Sequence, residues 1–144
     1  MAMKLSTGKV AFPIEFDNGD KDVIYFNPND PNLPIRMIDF QSNVDKRISE
    51  ILEISAENSS TKVEFPEAED FKNIQKIVCE ELDIAFGSNV SSVVFKHCSP
   101  FAIINGEYFI TVFINAVRPE IEKQMKKTQK DMAEKMDKHI SKYR

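Results

Sequence analysis

His97-Cys98 is the one place in the sequence where a nitrogen base and a thiol stand side by side, and the only other histidine is His139. A cysteine nucleophile needs a base within hydrogen-bond reach and a third group to orient that base. Neighbours in sequence generally project in different directions, and no orienting group is evident, so the dipeptide does not read as a catalytic dyad. A metal site would need further ligands, yet Cys79 and Cys98 show neither a CxxC spacing nor a disulfide framework. Carboxylates cluster at Glu67, Glu69 and Asp70 and again at Glu80, Glu81 and Asp83. Such clusters on helix faces serve solvation and capping. The glycines stand alone at Gly8, Gly19, Gly87 and Gly106, which leaves no glycine-rich phosphate loop. The expectation is a protein that is not an enzyme, with no catalytic, cofactor-binding or metal-binding residues. Cys79 reads as a packed or half-packed thiol, and function is expected to come from association.

Composition narrows the class of protein. At 144 residues the chain amounts to one domain, able to bury roughly two-thirds of its unfolded surface. Hydrophobic residues at 42% and charged residues at 29% suit a folded globular chain and exclude wholesale disorder. Tryptophan is absent and phenylalanine occurs 11 times, so aromatic burial rests on rings without a polar handle. Net charge divides unevenly. Residues 118–144 carry nine Lys or Arg against five Asp or Glu, a balance of +4, whereas residues 1–117 carry ten against eighteen, a balance of −8. The basic segment interleaves acids and has one aromatic, Tyr143, so it reads as a solvated helix and no nucleic-acid partner is expected. No apolar run approaches the roughly 18 residues a membrane span needs, and the first ten residues lack the apolar core of a signal peptide. A soluble protein of a reducing cytoplasm is expected, with no membrane partner.

These groups need a scaffold. "KVAFPIEF" and "DVIYFN" flank "DNGDK", which predicts a β-hairpin turning at Asn18-Gly19, with Pro13 confining its strand to an edge. "NPNDPNLP", Asn27 to Pro34, predicts a loop that holds off the next helix. That helix follows with apolar positions Ile35, Ile38, Val44, Ile48, Ile51 and Leu52, and a polar loop at "SAENSSTKVEF" ends it. A second helix opens at Pro66, carries Phe71, Ile74, Ile77, Val78, Leu82, Ala85 and Phe86 on one face, and is capped by Gly87. "VSSVVFK" reads as a short helix capped by Ser88 or Asn89 and closed by Pro100. Val93, Val94 and Phe95 there either close the bundle or offer a docking edge.

The last helix is expected to start near Asn105 or Gly106. Tyr108 to Val117 is apolar nearly all round and predicts a central, buried helix. Pro119 is expected to kink or end it. Beyond the proline, Ile121, Met125, Met132, Met136, Ile140 and Tyr143 form one apolar stripe, with Thr128 in the gap, on a strongly charged helix. Unbranched methionines suit an adaptable binding surface, a self-associating coil, or a helix that folds back on the body. The fold expected is α+β and mostly α, with a hairpin packed on three to four helices and a long C-terminal helix kinked near Pro119. Residues 1–117 form the globular part, and 118–144 a helix continuous with it.

The order of these segments, with Asp83, Ile84, Phe86 and Gly87 ending one helix and Phe95 ending the next short one, resembles the tail assembly chaperones of siphophages and prophages of Gram-positive bacteria. The resemblance spans about residues 20–125. It implies a mostly helical, non-enzymatic protein that keeps the tape measure protein soluble and helps recruit tail tube subunits. It also implies a place in the host bacterial cytoplasm and absence from the mature virion. The expected contact residues are Phe86, Val93, Phe95, Ile121, Met125, Met132, Met136 and Ile140, with homo-oligomerisation through the last helix as a further possibility. Two other readings stay open: a structural tail or connector subunit retained in the virion, and a small dimeric, helical regulatory protein that binds nucleic acid.

Overall fold

The structure is a computed structural model that describes residues 1–58 and 68–141, with side chains described for 1–53 and 68–138. The chain is α+β and predominantly helical. Its elements are β1 (Val10–Glu15), β2 (Lys21–Phe26), α1 (Asn32–Asn58), α2 (Ala68–Phe86), α3 (Ser91–Val94), β3 (Ile103–Ile104), β4 (Glu107–Tyr108) and α4 (Phe109–Ser141).

β1 and β2 pair antiparallel, from Val10 opposite Phe26 to Glu15 opposite Lys21. The expected turn is present. The Phe16 amide donates to the Asp20 carbonyl at 2.8 Å and the Gly19 amide to the Phe16 carbonyl at 3.0 Å. Gly19, at φ +87°, takes the left-handed position that a three-residue turn with a bulge requires. Alternation outward from the Phe16–Asp20 bond leaves Pro13, opposite Val23, in a non-hydrogen-bonded pair. Its missing amide therefore costs no ladder bond and removes one donor from the exposed edge.

The proline-rich stretch starts α1 where the sequence predicts that it delays it. Asp30 Oδ1 accepts the Asn32 amide at 2.9 Å and the Asp30 carbonyl accepts the Leu33 amide at 3.0 Å. Pro31 sits just inside this cap, where a helix has no use for an amide. The expected core face holds at Val44 and Ile48 and is corrected in the first turns. Leu33, Phe40 and Val44 are buried and Met37 and Ile48 pack against them, while Ile35 and Ile38 are 56% and 74% exposed. Two arginines three turns apart fix this rotation. Arg36 Nε donates to the Ala85 carbonyl at 2.9 Å, and Arg47 reaches Glu81 at 2.9 Å and Glu80 at 3.0 Å. At its far end the α1 backbone stays helical to Asn58. The rest of the expected polar loop, and Pro66, lie outside the described residues.

α2 buries the face its spacing predicts, with Ile74, Ile77, Val78, Leu82, Ala85 and Phe86 inside, and only Phe71 stays 38% exposed. Gly87 ends it at φ +66°. The Ser88 amide donates to the Asp83 carbonyl and the Gly87 amide to the Ile84 carbonyl, the paired bonds that close a helix on a left-handed residue. Before α4 comes an element the sequence reading lacks. Asn105 and Gly106 take positive φ, 50° and 84°, and join β3 to β4 in a two-residue hairpin. Asn-Gly there makes a strand turn; the helix begins at Phe109.

α4 runs through Pro119 to Ser141, so the proline does not end it. Pro119 and Asn115, four residues earlier, are both exposed, and water can serve the carbonyl that the proline leaves without a donor. The first half of α4 is half-buried against the bundle edge, contrary to the central position expected, because Thr111, Asn115 and Ala116 face solvent. Phenyl rings tie the layers together: Phe12 stacks on Phe26 at 4.2 Å, Phe26 meets Phe86 edge-on at 5.0 Å, and Phe86 lies 5.7 Å from Phe113.

Phe40→Ala is expected to destabilise the fold by about 3–5 kcal/mol, whereas Ile38→Ala is expected to stay within about 0.5 kcal/mol. Urea unfolding of both variants checks this; equal losses would show that the assigned face of α1 is wrong.

Candidate interaction surfaces

The eight residues expected to make contacts do not form one surface. Phe86 and Ile121 are 1% and 5% exposed and belong to the core. Val93 and Phe95 pack against that core, and Phe95 meets Phe109 edge-on at 6.0 Å, so this corner closes the bundle. Its cap comes from α2 and corrects the expected Ser88 or Asn89. Asp83 Oδ1 accepts the amides of Val90 and Ser91, each at 2.8 Å, and Oδ2 accepts the Ser91 hydroxyl at 2.8 Å. One carboxylate thus fixes the reversal after Gly87 by holding the start of α3 against the last turn of α2.

The remaining members lie along α4, in a gradient of exposure. Met125 packs against the core. One turn on, Thr128 Oγ1 donates to Asn29 Oδ1 at 2.8 Å, which pins the helix beneath the proline-rich loop. A shallow groove there lies between Pro28 and Pro31 on the loop, Pro34 in the first turn of α1, and Met125, Thr128 and Met132 on α4. Met132 is 44% exposed and Met136 61%, and every described residue from Gln129 to Lys138 is exposed. Ile140 continues the helix, its side chain outside the described residues, as is Tyr143. The stripe is therefore core at Ile121 and Met125 and open surface at Met132 and Met136.

His97 belongs to a charged clasp between the β1–β2 turn and the segment after α3. Lys96 Nζ lies 2.8 Å from both Asp20 and Asp22, and His97 Nε2 lies 2.7 Å from Asp20. Phe16 meets the His97 ring edge-on at 4.7 Å. The Lys96 hydrogen bond, followed by that of His97, lowers the Asp20 carboxyl from its ordinary 3.8 to about 2. Burial raises the thiol pKa of both Cys79 and Cys98, which favours the neutral thiol over the nucleophilic thiolate. This geometry joins loops.

A second surface escaped sequence reading. Phe101 stands 5.7 Å from Phe71 and 5.5 Å from Tyr108, and Ile103 is the cross-strand partner of Tyr108. These four side chains form an aromatic platform where the start of α2 meets the β3–β4 hairpin. Ile103 is 70% exposed and Tyr108 51%. The signal was the Asn105-Gly106 dipeptide, which places Ile103 and Tyr108 on one face once it is read as a hairpin turn.

Asp83→Ala is expected to cost about 1–2 kcal/mol through loss of the α3 cap, measured as a lowered urea midpoint; an unchanged midpoint would leave the cap without energetic weight. Asp20 has the lower pKa in the folded state, so its contribution to stability is complete above its ordinary 3.8 and disappears as pH falls through about 2. Asp20→Asn should therefore flatten the pH dependence of stability between those values, and a profile parallel to that of the parent protein would count against the clasp. Compared with protein-family models, curated proteins and solved structures, the chain matches no family, no curated protein and no solved structure.

Proposed function

We propose that this chain is a non-catalytic helical binding protein that acts as a bacteriophage tail assembly chaperone. It keeps the tape measure protein soluble and helps to recruit tail tube subunits in the host cytoplasm. The observation that carries this reading is the exposed part of the α4 stripe, where Met132 and Met136 stand on a charged helix beyond the Thr128–Asn29 hydrogen bond. A helix with exposed methionines at a spacing of four offers a flexible apolar surface suited to an apolar-striped helical client. The acidic body, −8 over residues 1–117 from ten basic and eighteen acidic side chains, opposes aggregation of such a complex. The order of hairpin, helices and Gly87 corner supports the family resemblance read from the sequence.

The test is co-expression with a siphophage tape measure protein. The client should shift to the soluble fraction and be retained by the tagged chain; insoluble client and an empty pull-down would dispose of the reading. Truncation after Gln129 separates client binding from folding, because the buried Ile121 and the Thr128 anchor remain. The shortened chain is expected to unfold cooperatively while losing the client. Retained client would place the binding surface elsewhere.

A further inference from the structure

The sequence contains Asn-Gly twice, at Asn18-Gly19 and Asn105-Gly106, and each pair lies in the turn of a β-hairpin. An asparagine followed by glycine is chemically fragile, because glycine lacks the side chain that would shield its amide nitrogen from the preceding carboxamide. Steric openness does not separate the two sites, since a Cβ at Gly19 or at Gly106 would meet nothing within 4 Å. Hydrogen bonds do. At the first turn Asn18 Oδ1 accepts the Asp20 amide at 2.9 Å and the Gly19 amide donates to the Phe16 carbonyl at 3.0 Å, so the carboxamide and the amide that would attack it are both held. That turn also closes a ladder of six residue pairs and is clasped by Lys96 and His97 through Asp20. Among the described residues, neither the Asn105 carboxamide nor the Gly106 amide has a hydrogen-bond partner. Their hairpin consists of two pairs, Ile103 with Tyr108 and Ile104 with Glu107, all four residues exposed, and one further bond at its base from the Phe109 amide to the Ala102 carbonyl at 2.8 Å.

We propose that Asn105-Gly106 is a site of spontaneous modification, at which the asparagine deamidates to aspartate and isoaspartate, while Asn18-Gly19 is spared in the folded protein. Hydroxide takes the proton of the Gly106 amide, and the nitrogen attacks Cγ of Asn105. The new N–Cγ bond closes a succinimide ring, the Cγ–Nδ2 bond breaks, and Nδ2 leaves as ammonia with a proton from water. One water then opens the ring. Addition at Cγ gives aspartate; addition at the Asn105 backbone carbonyl gives isoaspartate, in which the chain runs through Cγ. Nothing is oxidised or reduced. Ring closure brings the Gly106 nitrogen onto the Asn105 side chain, a backbone rotation that the closed turn resists, so the rate follows the population of the opened turn. Two exposed pairs open far more readily than a clasped ladder of six. Either product adds a negative charge, and isoaspartate adds a backbone methylene that no longer fits a two-residue turn, which releases Ile103 and Tyr108 from their pairing. The reaction needs no partner and is independent of the chaperone function.

Incubation of the purified full chain at mildly alkaline pH, followed by digestion and peptide mass spectrometry, tests the proposal, and labelling with a protein isoaspartate methyltransferase identifies the isoaspartate product. Conversion at Asn105 is expected to be at least about tenfold faster than at Asn18, a ratio that needs a difference of only about 1.4 kcal/mol in opening free energy. It should slow as the pH is lowered, because the attacking nitrogen must lose its proton. In concentrated urea, where both turns are lost, the two sites should convert at similar rates. Equal rates in the folded protein, faster conversion at Asn18, or an Asn105 that stays intact while the unfolded chain reacts would each overturn the proposal. So would a tenfold ratio that persists in urea, because local sequence and not the fold would then be selecting the site. Asn105→Gly keeps a residue that accepts the left-handed turn position and cannot deamidate. Chymotrypsin is expected to cut after Tyr108 several-fold faster in converted than in fresh parent protein, and at one rate in fresh and incubated Asn105→Gly. Cleavage that conversion leaves unchanged, or that rises equally in the variant, would overturn the loss of the hairpin.

Discussion

The line of rings from Phe12 through Phe26 and Phe86 to Phe113 is the contact on which the remaining structure depends. A two-stranded hairpin is marginal in water, and β1–β2 acquires a fixed position because Phe26, fully buried, sits between Phe12 of its own sheet and Phe86 of α2. Phe86 is also the last residue of α2, so one side chain sets where the hairpin rests and where α4 packs against the end of that helix. In a chain without tryptophan, these rings impose no hydrogen-bonding demand on the core. Among the described residues no buried side-chain nitrogen or oxygen lacks a partner.

Polar contacts then choose among the packings that the rings would allow. Arg36 and Arg47 are partly exposed, as are Asp30 and Glu80, and pairs of this kind contribute little stability. Their effect is on orientation. By holding one flank of α1 against α2 they turn Leu33, Phe40 and Val44 inward and leave Ile35 and Ile38 outside. Asp83 and Lys96 act likewise at the two ends of the α3 corner, the first on helix starts and the second on the hairpin turn.

What could be read from the sequence follows from the range of the forces involved. The β1–β2 hairpin, the buried face of α2 and the Gly87 corner are set by local propensity and periodicity, and all are found where expected. On α1, Val44 and Ile48 lie on the buried side as expected, but Ile35 and Ile38 have helical spacing too and face solvent, because the choice between two apolar faces belongs to arginine contacts across about 35 and 50 positions. The start of α1 was misplaced because Pro31 is as compatible with a first helical turn as with a loop; the capping bond from Asp30 decides. Of the expected contact residues, Met132 and Met136 alone, among those whose side chains are described, are strongly exposed, since periodicity identifies a stripe but not the point at which α4 leaves the body. The platform joins Phe71 to residues more than 25 positions away, a juxtaposition no local pattern contains.

The free end of α4 is also a question of helix stability. Its exposed turns gain no burial, and a short helix on its own is marginal in water because the first turn is costly to form. Here that turn is already made. The helix is anchored by Val117, Ile121 and Thr128, and each later residue adds one hydrogen bond to an existing ladder. A partner that covers Met132 and Met136 therefore meets a preformed surface and bears little of the entropy of ordering it. In the proposed reading the client meets this preformed stripe, and the Thr128–Asn29 hydrogen bond helps to hold it ready.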